Sequence, residues 1–174
     1  DVTVYSNCDE VELFVNGKSM GKKYIDDFED HIYKWAVQYK PGTITAKGKN
    51  KLGNTTTAIR TSGKEHSILL TVDKQSIAAN GKDVLHVTAQ LTDKKGNPVK
   101  TTEQMLKFNI DGEYRLLGID NGNVKNVSPY QSKDIMTYQG RCMLMLQSTE
   151  KSSVLNNSAE TSELHSNKLT INIK

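Results

Sequence analysis

Apolar and polar residues alternate along most of this chain, and that alternation is typical of strands with one buried face. The first clear case is residues 10–15, EVELFV, where Val11, Leu13 and Val15 share one face. The dipeptide Asn16-Gly17 follows directly, and both of its residues tolerate the positive φ that a type I′ hairpin requires. The pattern therefore predicts a strand, a tight turn and a returning strand near the start of the chain.

The same alternation recurs in later segments, at 32–39, 68–72, 85–92, 106–110, 141–147 and 168–174. Ile44 and Ala46 between threonines predict another strand, and the chain returns over 55–61. Turn-forming pairs separate several of them, and Asp111-Gly112 predicts a second hairpin with a strand that returns over 114–119. Residues 152–167 are rich in Asn, Ser and Glu, so the penultimate strand is the weakest in the pattern. No segment shows a helical period. Short strands between glycine-containing turns indicate an all-β fold.

The short polar link Ser62-Gly63-Lys64 divides these segments into two groups. We predict two consecutive β-sandwich domains, over residues 1–62 and 63–174, and a hydrophobic content of 36% allows each a small core. The sequence starts at Asp1 inside a predicted strand, and we interpret it as a fragment of a longer protein, called the parent below.

Two regions resemble a known family. The first is VYSNCDEVELFVNGKSMGKK (4–23); the second comprises LLGIDNGN (116–123), YQGRCMLMLQST (138–149) and LTINIK (169–174). They are similar to the domains that follow the catalytic barrel in bacterial glycoside hydrolases of family 2, the β-galactosidase-like group. The resemblance implies that both sandwiches are immunoglobulin-like. It also implies a parent that hydrolyses O-glycosyl bonds in the periplasm or outside a bacterial cell.

By this resemblance the fragment is not itself an enzyme, because the family's catalytic carboxylates belong to the barrel, which these residues do not include. Its partners would be the catalytic and other domains of the parent. Its role would be to brace the barrel and to contribute to carbohydrate binding. Two alternatives stay open: an independent carbohydrate-binding module, and an adhesin-type immunoglobulin-like spacer, which the stretch SIAANGKDVLHVTAQLTDKKGNPV (76–99) also resembles.

Carbohydrate-binding surfaces stack exposed aromatic side chains on the apolar faces of sugar rings. The candidate residues are the aromatic side chains on one face of segment 32–39 and those that follow Pro129: Trp35, Tyr33, Tyr39, Tyr130 and Tyr138. Val37 lies on the same face of segment 32–39. Its presence favours the other interpretation, in which Trp35 is buried between two sheets.

Residues that bind metals or act as catalytic acids form no recognisable pattern. Glu10 and Glu12 lie on the solvated face of a strand, and residues 26–30, DDFED, form an acidic loop. The four histidines and the two cysteines lack the spacing of a metal site, and Cys8 and Cys142 are predicted to be buried free thiols. A calcium ion at the acidic loop or at 120–123 is outweighed by the simpler interpretation as loops, so we predict no metal and no cofactor.

The net charge of +3 comes from 23 Lys and Arg against 20 Asp and Glu, and the basic residues are scattered. Nucleic acid requires a clustered basic face, so we expect no nucleic-acid partner. No apolar run approaches the about 20 residues of a membrane-spanning helix, so we expect no membrane span. Met143 and Met145 share a face with Arg141, and we expect this patch to contact another domain of the parent.

Overall fold

The computed structural model describes all residues, Asp1–Lys174, as fifteen β-strands and a single 3-10 turn at Ile25–Asp27. The predicted all-β class is therefore confirmed. The chain contains no helix that could span a membrane. The strands divide into two compact units, Asp1–Thr61 and Ser62–Lys174.

The first unit contains six strands: β1 (Val2–Val4), β2 (Glu10–Val15), β3 (Lys18–Tyr24), β4 (Tyr33–Trp35), β5 (Thr43–Asn50) and β6 (Gly53–Arg60). Strands β1 and β4 form a two-stranded sheet, and the other four form a sheet in the order β3-β2-β5-β6. All neighbours in both sheets are antiparallel. Six buried residues of this unit form one cluster: Cys8, Val11, Leu13, Tyr33, Trp35 and Ala46.

The hairpin predicted at Asn16-Gly17 is confirmed. These residues join β2 to β3 with φ angles of 51° and 81°. By contrast, the strand predicted over 32–39 is shorter than expected, because β4 ends at Trp35. Its partner β1 is itself three residues long and pairs with β4 no further than Trp35, so Val37 and Tyr39 are left without a neighbouring strand.

The second unit contains nine strands: β7 (Glu65–Val72), β8 (Ser76–Ile77), β9 (Val84–Asp93), β10 (Met105–Asp111), β11 (Arg115–Asp120), β12 (Asp134–Met136), β13 (Arg141–Gln147), β14 (Ser153–Glu160) and β15 (Leu169–Ile173). One sheet has the order β12-β10-β14-β15-β8 and the other the order β11-β13-β9-β7. Neighbours are antiparallel except β15 and β8, which are parallel.

The core of the second unit follows the predicted alternation. Every second residue of β9 from Leu85 to Leu91 is fully buried, and Val87 and Ala89 lie directly opposite Leu144 and Cys142 of β13. The uncertain penultimate strand is present as β14, although Asn157 takes a core position there. Both amide atoms of Asn157 are buried without a hydrogen-bond partner, and this polar residue explains why the apolar pattern was weak.

The prediction of a hairpin at Asp111-Gly112 is wrong. Strand β10 pairs with β12 and β14, whereas β11, which follows the turn, pairs with β13 in the other sheet. Gly112 has a φ of 116°, and a Cβ at this position would lie 2.6 Å from the carbonyl oxygen of Val154. The dipeptide marks a real turn, but the turn carries the chain from one sheet to the other.

Candidate functional site

The first candidate site is the aromatic cluster of unit 1. The rings of Tyr33 and Trp35 stack with centroids 6.1 Å apart, and Phe28 packs edge-on against Tyr33 at 5.8 Å. The Tyr33 hydroxyl donates a hydrogen bond of 2.6 Å to the carbonyl oxygen of Cys8. The indole N–H of Trp35 donates to the carbonyl oxygen of Gly21 at 3.3 Å. Both polar tips are therefore satisfied within the unit.

Burial decides what this cluster can do. Tyr33 is 0% exposed and Trp35 is 4% exposed, and burial raises the pKa of the Tyr33 hydroxyl. Their ring faces are not open to a sugar, so the structure places these two candidates in the core. Tyr39 is 73% exposed and lies beyond the end of β4. The alternation of the sequence therefore did not produce a row of three exposed rings.

The two remaining candidates belong to unit 2. Tyr130 is 61% exposed, and its carbonyl oxygen accepts a hydrogen bond of 2.7 Å from the backbone N–H of Ile119. Tyr138 is half-buried, and its backbone exchanges two hydrogen bonds with Arg141 across a tight turn. Tyr130 thus presents an exposed ring on a backbone held by a hydrogen bond to Ile119, and a role in sugar binding stays a prediction.

The glutamates of β2 are paired with its neighbour β3. Glu10 Oε1 lies 3.2 Å from Lys22 Nζ, and Glu12 Oε1 accepts a hydrogen bond of 2.6 Å from the Ser19 hydroxyl. The hydrogen bond and the charge of Glu10 raise the pKa of Lys22. These contacts stabilise the pairing of β2 with β3, as polar side-chain pairs commonly do on the solvated face of a sheet.

The acidic loop is similarly engaged. Asp27 accepts a hydrogen bond from the backbone N–H of Tyr24, and Asp30 accepts one from Ile32. Asp30 also binds Lys34, and this contact lowers the pKa of the Asp30 carboxyl. No group of three or more His, Cys, Asp or Glu side chains converges anywhere in the chain.

Both cysteine thiols are free and buried. Burial raises the pKa of Cys142 to about 12. A thiol becomes a strong nucleophile or a metal ligand as the thiolate, so this environment disfavours both roles for Cys142.

Two histidines lie within ion-pair distance of a carboxylate: His165 is 3.8 Å from Glu160, and His86 makes the closer contact. His86 Nδ1 lies 2.9 Å from Asp73 Oδ2, and the backbone N–H of His86 donates to the other oxygen of Asp73 at 2.8 Å. Partial burial acts to raise the pKa of Asp73, but the two hydrogen bonds from His86 outweigh it and the pKa is lowered. The pair is substantially exposed and joins the end of β7 to β9.

Two surface grooves that the sequence pattern did not indicate are present in the structure. A shallow groove of about 640 Å³ runs over the outer face of the β10–β14 sheet, beside Lys107, Lys133 and Lys168. An apolar groove of about 210 Å³ lies in unit 1. We call the latter the β1 groove and define it by Val2, Val4, Tyr5, Ile44, Thr57 and Ile59. The one feature of the sequence that could have indicated the β1 groove is Ile59, an isoleucine in a threonine-rich strand.

Comparison with known proteins identifies the family. Residues 68–170 match the family model described as glycoside hydrolase family 2 C-terminal domain 5, and residues 1–57 match a domain of unknown function, DUF4982. The chain belongs to glycoside hydrolase family 2. The resemblance stated from the sequence is thereby confirmed.

Relatives within family 2 are considerably longer than this chain. Beta-galactosidase BoGH2A of Bacteroides ovatus is 34% identical over 149 residues, which are 84% of this chain and 17% of the relative. The crystal structure of a beta-glycosidase from Bacteroides vulgatus matches with a TM-score of 0.90 at 34% identity, over 98% of this chain and 22% of that chain. A family 2 member from Bacteroides cellulosilyticus matches with a TM-score of 0.89 at 31% identity, over 99% and 22%. The chain thus spans about a fifth of the length of these relatives.

Proposed function

We propose that this chain is the non-catalytic C-terminal region of a β-galactosidase-like hydrolase and that its two units brace the catalytic barrel of the parent. The observation that carries the proposal is the match of 68–170 to a C-terminal domain model, in a chain that spans about a fifth of its relatives. The relative from Bacteroides ovatus, whose match covers 84% of this chain, is named a beta-galactosidase.

The arrangement of acidic residues supports an accessory role. A retaining glycosidase uses two carboxylates about 5 Å apart, on either side of the scissile bond. Here Glu10 and Glu12 are engaged with side chains of the neighbouring strand, and Asp27 and Asp30 accept hydrogen bonds within their own loop. Carboxylates that are hydrogen-bonded in this way stabilise the local structure, and this supports an accessory rather than a catalytic role.

Three proteins test the proposal: the full-length parent, the parent truncated before Asp1, and this chain alone. Nitrophenyl β-galactoside, β-glucoside and β-glucuronide serve as substrates. We expect the full-length parent to release nitrophenol from at least one substrate and the chain alone to release none above the blank. We expect the truncated parent to unfold at a lower temperature than the full-length protein.

Two outcomes contradict the proposal. Turnover by the chain alone that is lost in Glu10→Gln or Glu12→Gln would assign catalysis to this region. An unchanged unfolding temperature and activity after truncation would remove the bracing role while leaving the family intact.

A contribution to carbohydrate binding is the second candidate function, and the exposure of Tyr39 and Tyr130 favours it. Calorimetric titration of the chain with β-galacto-oligosaccharides tests it, with Tyr130→Ala as the variant and Tyr24→Ala, which is also exposed, as the control. Binding that is lost in the first variant and kept in the second supports the role. A wild-type chain that binds no sugar at millimolar concentration removes it.

A further inference from the structure

The two sheets of unit 1 differ in width, and the wider sheet is left partly uncovered. Paired residues of antiparallel strands point to the same face of a sheet, so Val15, Ile44 and Ile59 form one row across β2, β5 and β6. Along this row Val15 is 8% exposed, Ile44 is half-buried and Ile59 is 66% exposed. The neighbouring row shows the same trend: Leu13, Ala46 and Thr57. The core-facing side of β6 therefore has no covering layer.

The β1 groove occupies the position where that layer would lie. Its walls are β1 on one side and the inner face of β6 on the other, and its floor includes Leu13, Ile44 and Ala46 of the central strands. Val2 and Val4 of β1 are half-buried, whereas Tyr5 at the end of the groove is 77% exposed. An apolar concavity between a strand edge and an uncovered sheet face is what a sandwich leaves when one strand is lacking.

The backbone of β1 supplies a second, independent feature. Strand β1 pairs with β4 alone, so it has one free edge. Alternate residues of an antiparallel strand direct their N–H and C=O groups to opposite edges. Some of the N–H and C=O groups of β1 are therefore directed into the groove. The sequence of β1, VTV, contains no lysine or proline that would protect this free edge from pairing with another strand.

We propose that an extended segment of the parent, preceding Val2 in its sequence, pairs with the free edge of β1 and fills the β1 groove as a third strand. This inference rests on the proposed function, in which the chain is the C-terminal region of a longer hydrolase. The family model is a C-terminal domain and the relatives are about five times longer, so most of the parent would lie before this chain. Strands that are adjacent in sequence are neighbours in space in roughly two-thirds of cases.

The groove also specifies the chemistry of the segment. Four consecutive residues, Val2 to Tyr5, line its edge, and a strand advances about 3.3 Å per residue. The occupant is therefore a strand of about four to six residues whose inward side chains are large and apolar. Those side chains would cover Ile59 and Ile44, and the backbone would add β-ladder hydrogen bonds to β1.

Hydrogen exchange of the full-length parent and of this chain alone tests the proposal. Ile59→Asp places a charge in the groove, and Thr56→Asp places the same residue on the opposite face of the same strand, across from Lys47. In the full-length parent we expect the amides of β1 to be protected. We expect Ile59→Asp to speed their exchange by roughly tenfold or more, because burial of an isoleucine is worth at least that factor in an equilibrium constant.

Thr56→Asp is expected to leave β1 exchange in the full-length parent unchanged, and both variants are expected to match the wild type in the chain alone. The proposal is overturned when β1 exchanges equally fast in both proteins, or when the two substitutions have equal effects. A chain that forms a dimer on its own, which Ile59→Asp dissociates, would assign the groove to a second copy and would also overturn it. The nitrophenyl assays report on the proposed function separately, since β1 can be protected in a parent that hydrolyses none of these glycosides.

Discussion

The hydroxyl of Tyr33 is a buried polar group whose single partner is the carbonyl oxygen of Cys8, 25 positions away in sequence. Tyr33→Phe keeps the ring and its stacking on Trp35 but leaves that carbonyl without its donor. A buried group left unsatisfied costs about 1–3 kcal/mol. We expect the free energy of unfolding of unit 1 to fall by that amount, measured by urea titration with Trp35 fluorescence. Tyr39→Phe, at an exposed ring, is the control and is expected to change nothing.

The Asp93 carboxyl makes the stability of the folded chain depend on pH. Its carboxylate accepts hydrogen bonds from the backbone N–H groups of Gly63, Asn97 and Lys95 and from the Asn97 side chain. These donors, with Gly63 the strongest, hold the pKa of Asp93 far below its usual range although burial acts to raise it. A lowered pKa in the folded state contributes stability that is present above the unfolded value of about 3.9 and is lost as the pH falls below it.

Asp93→Asn replaces an acceptor oxygen by a donor, so two of these hydrogen bonds have no acceptor. We expect the variant to be less stable than the wild type at pH 7 and the difference to shrink as the pH falls from 4 towards 2. Urea titrations monitored by circular dichroism at a series of pH values measure it. A difference that stays constant with pH would contradict the role of the charge. Asp111→Asn, at an exposed position, is the control.

Single residues explain which part of unit 1 the sequence could predict. Asn16 and Gly17 adopt positive φ because of their own chemistry, so their hairpin was predictable. Asn16 also binds Thr43 and Pro41 through its side chain, and contacts over such sequence separations leave no local pattern. Trp35 was open to two interpretations for the same reason: its burial depends on which strands cover it.

At the scale of elements, local residue types predict where the chain turns but not which strand follows. Asp111-Gly112 was correctly located as a turn and wrongly joined into a hairpin, since β11 enters the other sheet. The turn from Tyr138 to Arg141 was not predicted from the sequence. Gln139 and Gly140 there have φ angles of 50° and 69°, and glutamine is not a residue that announces such a turn.

The Tyr138–Arg141 turn is also a point where three segments meet. The side-chain amide of Gln90 donates to the carbonyl oxygens of Leu91, Val99 and Gly140. A Cβ on Gly140 would overlap the Val99 carbonyl oxygen, whereas Gly96, at a similar φ of 79°, has open space around it. Substituting alanine at Gly96 therefore tests backbone strain alone, whereas the same substitution at Gly140 tests strain and steric overlap together.

We expect Gly96→Ala to cost about 1–2 kcal/mol, the penalty for a side chain in a left-handed conformation. Gly140→Ala is expected to cost clearly more, because the Val99 backbone must also move. Chemical denaturation followed by circular dichroism measures both variants. Equal losses of stability would show that the contact with Val99 relaxes freely and would contradict the expectation.

At the scale of the whole molecule, the family resemblance and the β-sandwich architecture were available from the sequence, whereas both surface grooves were not. The cores differ in size. Nineteen buried hydrophobic residues form the cluster of unit 2, and six form the cluster of unit 1. Stability rises with the apolar surface removed from water, so unit 1 is expected to be the weaker unit. The β1 groove adds to this difference, because it leaves apolar surface of unit 1 in contact with water.

Unequal cores predict two unfolding transitions in urea. Trp35 is the single tryptophan of the chain and belongs to unit 1, so its fluorescence reports on that unit. We expect its midpoint to lie at a lower urea concentration than the main loss of circular dichroism. The buried thiols provide a matched pair of probes, with Cys8 in unit 1 and Cys142 in unit 2. In pulsed alkylation read by mass spectrometry, Cys8 is expected to be labelled along the fluorescence transition and Cys142 along the later one. Labelling of both thiols in one coincident transition would mean that the two units unfold together and that core size does not rank them.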